Sequence, residues 1–446
     1  MTERPFAAIV MAAGLGTRMR SSTPKHLHPL LGRRMVDWVI DAARALGPQP
    51  LVLVVSPEAK NAFDGTVEVA VQDEPRGTGD AVATAERALG DFDGDVLVLA
   101  GDSPLVTGAL LRDLAAEHRR TGAAATVLTF EPDVDLPYGR IVRDAGGRVT
   151  SIVEAADATP EQLKIRELNG SIYVFAVGPL RAAVGRLQSD NAQGELYLTD
   201  AIRHLTDAGE AVAAYRSNDP TAPIGVNTRA DLAAAAAVLR ARVNEEHMLA
   251  GVTIVDPAST WIDAEVELEP DATVHPFTVL RGRTRVGAGA EVGPHVVAVD
   301  AEVGPDALVG PFCYLRPGTV LRAGAKAGTF VEIKNSAIGE RTKVPHLSYI
   351  GDAEVGEDTN IAAGNITVNF AHQSGREKGR TKIGRNVRTG VQNAFVAPVE
   401  IGDDAWVAAG SVVTDDVPPG ALAIARARQE NKEGYAERHR SGDADD

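Results

Sequence analysis

A single cysteine, Cys313, stands in a chain of 446 residues. One thiol excludes a disulfide framework and a cysteine-ligated zinc site within one chain. Basic residues are also scarce: 45 Lys and Arg against 61 Asp and Glu leave a formal net charge of −16. That surface argues against nucleic acid as a partner, whereas a small anionic substrate needs only a few basic residues gathered locally. The N-terminus, MTERPFAAIVMAAGLG, is charged and then only briefly apolar. Nowhere is there the run of about 18 apolar residues that a membrane span needs, so a cytoplasmic protein, neither exported nor membrane-bound, is expected. What is present, 44% apolar and 24% charged residues, is the composition of a globular protein. The length calls for two or three domains.

Residues 1–226 alternate short apolar strands (AAIVMA, LVLVVS, VEVAV, VLVLAGD) with helical stretches near Val36–Ala45 and Gly79–Leu89. Alternation of this kind predicts a mostly parallel sheet with helices on both faces, a Rossmann-like α/β domain. Residues 227–250 contain TRADLAAAAAVLRARVNEEHM, free of Gly and Pro and rich in Ala, Leu and Arg, which reads as a linker helix. From residue 251 onward a small aliphatic residue followed by Gly recurs every six positions, as in VGAGAE VGPHVV and IGDDAW VAAGSV. So short a period predicts a parallel β-helix for residues 251–446, each hexapeptide forming one flat side of a triangular coil. Such coils leave flat faces exposed, so a homo-oligomer is expected, and three-fold symmetry suits a prism. The tail, Gln429–Asp446, is charged, and its end is expected to be disordered.

Met11–Leu30, MAAGLGTRMRSSTPKHLHPL, directly follows the first strand. A Gly-rich turn at the carboxyl end of a parallel strand lets backbone N–H groups approach phosphate oxygens closely, although such a turn also serves structure alone. Arg18 and Lys25 add positive charge beside it, in a chain that is otherwise acidic. Asp102 ends the strand VLVLAGD, where an open α/β sheet binds ligands; its carboxylate suits Mg²⁺, or else caps the following turn.

At this point the pattern becomes a resemblance. AAGLGTRM, Pro24–Lys25, Gln72, GTG at Gly77–Gly79, GDSPL, YGRI, IVE, NG at Asn169–Gly170, NAQGELYLTD and GVNTRADL are similar to the sugar nucleotidyltransferases. In that order they resemble the bifunctional N-acetylglucosamine-1-phosphate uridyltransferase/glucosamine-1-phosphate acetyltransferase family of bacterial cell-envelope synthesis, over nearly the whole chain. The resemblance implies a left-handed β-helix and a homotrimer. It implies that Met11, Ala12, Ala13, Gly14, Gln72, Gly77 and Thr78 hold the uridine nucleotide of UTP and that Arg18 and Lys25 neutralise its triphosphate. It places the N-acetyl sugar on Gly139, Glu154 and Asn169, and one or two Mg²⁺ ions on Asp102 and Asn227. No side chain need become covalently attached: catalysis is alignment plus charge stabilisation. Ala100 stands where the family has an aromatic residue.

Between Arg316 and Asn369 the coil carries residues that a purely structural solenoid does not need: Arg316, Lys334, His346, Tyr349 and Asn360. LRPG, VEIKNS and PHLSYIGDAEVGEDTNIAAGN are similar to the family's second motif set. The resemblance implies that Arg316 and Lys334 bind the phosphate of glucosamine-1-phosphate, that Tyr349 and Asn360 place the sugar, and that His346 is the general base. An amine attacking the thioester of acetyl-CoA must lose a proton, which a neutral imidazole accepts near pH 7; a lone coil histidine would otherwise read as solvated. Cys313 reads as a small packed residue, not a nucleophile. Acetyl-CoA is implied on Ala363, Asn369, Phe370, Ala409 and Arg426.

The count in sixes is broken by VNFAHQSGREKGRTK, Val368–Lys382. Here the family has a loop that opens Asn-Tyr-Asp-Gly, continues to a lysine and leans over the acetyl-transfer site. Asn369 and Lys378–Thr381 fit that pattern, but Phe370 replaces the tyrosine, Ala371–His372 replace Asp-Gly, and Val391 replaces a serine. Each lost hydrogen bond is worth about 1 kcal/mol. His372, Gln373 or Ser374 are candidates for a rewired site, and His372 reads equally as a surface histidine. Two other readings remain: a uridyltransferase whose coil is impaired or takes another acceptor, and a non-catalytic scaffold.

Overall fold

The computed structural model describes residues 4–14, 16–63, 65, 67–370 and 378–440. Contacts divide the chain into two units, Met1–Arg240 and Ala241–Asp446.

In the first unit the sheet order is Val212–Arg216, Ala125–Phe130, Leu168–Ala176, Asp95–Ala100, Phe6–Ala12, Leu51–Val55, Glu68–Val71. Only Leu168–Ala176 along this path runs antiparallel to its neighbours. Ala7, Ile9 and Met11 join the core on one face of the sheet, and Ala8, Val10 and Ala12 the core on the other. Alternation of Cβ along a strand with both faces covered requires that continuous apolar run. Met11 pairs with Ala100, which brings the Gly-rich turn and Asp102 to one edge of the sheet.

The Ala-rich helix Arg229–Leu249 follows. The second unit is a left-handed parallel β-helix of three sides, beginning with Thr253–Ile254, Trp261–Ile262 and Glu267–Leu268. Inward positions repeat in register: Val274, Val292, Val309, Ala327 and Val344 stack in successive coils of the first side. All five are buried, so a small or branched aliphatic residue at one position per hexapeptide fills the axis. At the first corner, between the first and second sides, Phe277, His295, Phe312 and Phe330 all take the left-handed conformation, with φ of 56 to 59°. The break in the hexapeptide count lies at the second corner, between Ile366–Val368 on the second side and Thr381–Ile383 on the third. Gly379 N–H donates to the Asn369 carbonyl at 3.2 Å and closes its base. His372, Gln373 and Ser374 lie outside the described residues. Within the tail, Tyr435–Arg440 forms a short exposed helix. Among the described residues no helix is long and apolar enough to cross a membrane.

Candidate functional sites

The Gly-rich turn, the short helical turn Lys25–Leu27, and Asp102 enclose a cavity of about 580 Å³ lined by Met11, Ala13, Gly14, Lys25, Gln72, Gly77, Thr78 and Asp102. Gly16 has φ +61°, and a Cβ there would lie 2.5 Å from Lys25 Cβ, so only glycine lets the lysine close in on the turn. The Lys25 ammonium donates to Asp102 Oδ2 and, at 3.2 Å, to Asn227 Oδ1. Arg18 donates to the same Asn227 oxygen at 2.9 Å. Asn227 is held by the start of the long helix: its N–H and that of Thr228 donate to Asp231 Oδ2 at 3.0 and 2.8 Å, and Asp231 N–H donates to Thr228 Oγ1 at 3.2 Å.

Burial pushes the Asp102 carboxyl up; the charges of Lys25 and His26 and the Lys25 hydrogen bond outweigh it and hold the group below its ordinary value. A carboxylate oxygen and an amide oxygen thus converge on one point that already attracts a cation. That donor set fits Mg²⁺, which takes few protein ligands and completes its octahedron with water and substrate phosphates. No cluster of three or more His, Cys, Asp or Glu able to cage a metal exists among the described residues.

Gln72 Nε2 donates to the Gly77 carbonyl at 3.2 Å and to Asp80 Oδ2 at 2.8 Å, tying the GTG segment to its strand. Gly139, Glu154 and Asn169 also come together: a Cβ on Gly139 would lie 3.4 Å from Asn169 Cβ and 3.6 Å from the Glu154 carboxyl carbon. Thr199 donates to Glu154 Oε1 at 3.0 Å, and both line a second cavity of about 320 Å³ with Tyr197. Burial raises the Glu154 carboxyl, with Asp157 and Asp200 adding to the effect against the Thr199 hydrogen bond. Ala100, which stands where the resembled family has an aromatic residue, lines the larger cavity.

Sequence reasoning missed His26, which is 5% exposed and lines the same cavity, with Nδ1 unpartnered. The signal was there in Lys-His-Leu-His-Pro, a polar stretch whose turn buries Lys25 and His26 together. Tyr138, noted only within YGRI, accepts the Gly225 N–H at 2.8 Å.

The acetyl-transfer candidates are distributed over two edges of the second side. At the second corner Arg316 and Lys334 occupy adjacent rungs, with the Lys378 ammonium beside Lys334. Lys378 is the foremost cause lowering the Lys334 ammonium. Two neighbouring ammonium groups and a guanidinium make a site for a dianion such as a phosphate. Asp352 balances them, accepting from Asn335 at 2.6 Å and from Asn369 Nδ2. The Tyr349 hydroxyl lies over Gly351, 2.3 Å from where a Cβ would stand. Arg316 also pairs with Glu332 at 2.8 Å.

The exposed His346 ends a strand of the first side at the first corner. From there Gly364 N–H bonds the His346 carbonyl, Gln392 N–H the Ala363 carbonyl and Gly410 N–H the Val391 carbonyl, at 3.2, 2.8 and 2.9 Å. A Cβ on Gly410 would lie 3.7 Å from Arg426 Cδ. His346, Ala363, Val391, Ala409 and Arg426 therefore climb one corner coil by coil. Asn369 and Phe370 are not with them: they sit at the second corner, and Phe370 is 63% exposed. Asn360 stacks between Lys343 and Arg388 on the first side, apart from Arg316, Lys334 and Tyr349. Cys313 is buried inside the coil, which pushes its thiol up to about 11, and it donates to the Ala327 carbonyl at 3.3 Å.

Residues 8–252 match the MobA-like NTP transferase domain family. The chain is 49% identical to the bifunctional protein GlmU of Streptomyces avermitilis, over 99% of this chain and 96% of that protein. It is likewise 49% identical to the bifunctional protein GlmU of Streptomyces coelicolor, with the same coverage. To the bifunctional protein GlmU of Mycolicibacterium vanbaalenii it is 47% identical, over 99% of this chain and 94% of that one.

Proposed function

The chain belongs to the family of bifunctional GlmU proteins, and from that premise we propose how its two sites divide the work. The enzyme acetylates glucosamine-1-phosphate with acetyl-CoA and transfers UMP from UTP to N-acetylglucosamine-1-phosphate, yielding UDP-N-acetylglucosamine for the cell envelope. Residues 1–226 carry uridylyl transfer, 227–250 link, and 251–446 carry acetyl transfer, in the cytoplasm.

In uridylyl transfer the sugar phosphate oxygen bonds to the α-phosphorus of UTP while the bond to pyrophosphate breaks and the electron pair leaves with it. Met11–Gly14, Gln72, Gly77 and Thr78 hold the nucleotide; Gly139, Glu154 and Asn169 hold the sugar. Arg18 and Lys25 take up the charge that grows on the phosphates. Asp102 and Asn227 would hold one Mg²⁺, which supplies charge neutralisation of the triphosphate when bound. In acetyl transfer the sugar amine attacks the thioester carbonyl, the C–S bond breaks to release the thiol, and His346 accepts the amine proton. Arg316, Lys334 and Lys378 hold the phosphate, Tyr349 and Asn360 the sugar, and Ala363, Asn369, Phe370, Ala409 and Arg426 the coenzyme.

The acetyl-transfer groups lie at two edges of one flat side, about 16 Å apart by strand length from Leu347 to Asp352. A second copy of the coil brings the edges together, so the working form is a homo-oligomer, with a trimer as the closed arrangement. The outward face of that side carries Trp261, Val279, Val297, Tyr314, Glu332, Tyr349, Ile366, Ala394 and Val412 in register, with Glu332 its one charged member. Its neighbouring corner carries the stacked, exposed rings of Phe277, His295, Phe312 and Phe330, with centroids 4.8, 4.8 and 5.2 Å apart. The equivalent row of the third side is mostly charged: Glu267, Arg285, Glu302, Val320, Ala337, Glu354, Lys382 and Glu400.

The observation that supports the reading of the first site is the convergence of Lys25, Asp102 and Asn227, the first two of which line the cavity. Asp102→Asn is expected to cut pyrophosphate release from UTP and N-acetylglucosamine-1-phosphate at least about a hundredfold, with thiol release from acetyl-CoA unchanged. Equal loss of both activities would sink the assignment.

A further inference from the structure

The end of the sheet opposite the nucleotide cavity contains another enclosed space that uridylyl transfer does not use. The strand Asp95–Ala100 connects the two, and they lie about 17 Å apart at its rise per residue. The space is about 400 Å³, within the range of small-molecule sites. At its base Asp95 is 1% exposed and its Oδ1 has no hydrogen-bond donor. Two basic side chains approach it beyond hydrogen-bond distance: Arg4 Nη1 stands at 3.5 Å and His118 Nε2 at 3.7 Å. His118, 3% exposed, is turned by a 2.9 Å hydrogen bond between Nδ1 and the Thr126 hydroxyl, so its free ring nitrogen points to the carboxylate.

Three backbone N–H groups of the wall are already satisfied: Asp95 N–H donates to the Pro5 carbonyl at 2.9 Å, Ala124 N–H to the Ala211 carbonyl at 2.9 Å and Ala176 N–H to the Ala124 carbonyl at 3.0 Å. The unmet group is therefore the carboxylate, and burying one without a donor is costly. Ala124, Ala176 and Pro179 supply a small apolar floor. At the mouth stand Arg4, Arg119 and Glu210, with Arg119 lying over the Phe6 ring at 4.8 Å.

We infer that this cavity binds a small zwitterion, an α-amino acid with a short side chain. Its ammonium would enter between Asp95 Oδ1 and the exposed Arg4 guanidinium, which swings outward from its 3.5 Å approach; its apolar part would cover the alanine floor, and its carboxylate would meet that guanidinium at the mouth. The inference is independent of the two reactions above, since none of these residues lines either site.

The test is calorimetric titration of the full-length protein with L-alanine, beside methylamine and acetate as half-ligands. Saturable binding of alanine, at least tenfold tighter than either half-ligand, is expected. Asp95→Asn should weaken alanine and methylamine at least tenfold. Asp95 is buried, so the exposed Arg4 provides a variant that leaves the core untouched: Arg4→Ala should weaken alanine and should not weaken methylamine, since Arg4 competes for the same carboxylate oxygen. No saturation by alanine up to about 10 mM, half-ligands binding as tightly as alanine, or alanine affinity unchanged in Arg4→Ala would each overturn the proposal.

Discussion

At the scale of single residues, His26 gives the first site a pH dependence of its own. Burial, and then the Lys25 charge, lower its imidazole from 6.5 to about 4, with Asp102 pulling the other way. Below pH 6.5 the unfolded chain binds a proton that the folded chain refuses. Stability is therefore complete above that value and falls as the pH drops toward 4, by on the order of 3 kcal/mol in all. Hydrogen exchange in the strand Phe6–Ala12 at pH 7.5 and 4.5 should show that acid-side loss in the native chain and a loss smaller by roughly 2 kcal/mol in His26→Val; equal losses would contradict it. His26 was not legible in the sequence, because its role depends on tertiary burial beside Asp102, 76 positions away by number. Lys25, Asp102 and Asn227 were legible through their motifs, but their shared hydrogen bonds were not.

At the scale of elements, the hexapeptide count was the most readable feature, because every side of every coil must send one aliphatic side chain to the axis. Where the count breaks was also visible; which corner it breaks at was not, since that follows from rung register. Glycines in the coil fall into two kinds. A Cβ on Gly328 would lie 2.1 Å from the Pro345 carbonyl oxygen, a backbone atom of the next coil. Gly328→Ala should therefore destabilise the coil by roughly 1–3 kcal/mol, read as a lower melting midpoint with uridylyl transfer intact. On Gly351 the added carbon would meet the outer end of the Tyr349 ring, its hydroxyl at 2.3 Å and Cζ and Cε1 at 2.6 and 2.8 Å, a side chain that can swing away rather than backbone. Gly351→Ala should melt with the native protein yet raise KM for glucosamine-1-phosphate several-fold by displacing the phenol. A melting shift as large as that of Gly328→Ala would show that the tyrosine is packing and not poised.

At the scale of the whole molecule, the two α/β and coil architectures were both expected from strand–helix alternation and repeat period, and both are present. The distribution of the candidate second-site residues over two edges of one side was beyond sequence reasoning, because a linear motif does not reveal which face of a prism its residues share. Dilution separates the two chemistries. On the proposal that a second copy completes the acetyl-transfer site, acetyl transfer per chain should fall as the protein is diluted, while uridylyl transfer per chain stays constant; constant specific acetyltransferase activity in a monomer seen by sedimentation would contradict the shared site.

The central claim is that one chain performs both transfers despite Phe370, Val391 and the altered loop. Its most direct test is thiol release from acetyl-CoA by the purified protein, with and without glucosamine-1-phosphate, beside His346→Ala. Release that requires the sugar and is abolished in the variant is the expected result. No sugar-dependent release, with pyrophosphate formation from UTP and N-acetylglucosamine-1-phosphate intact, would contradict it.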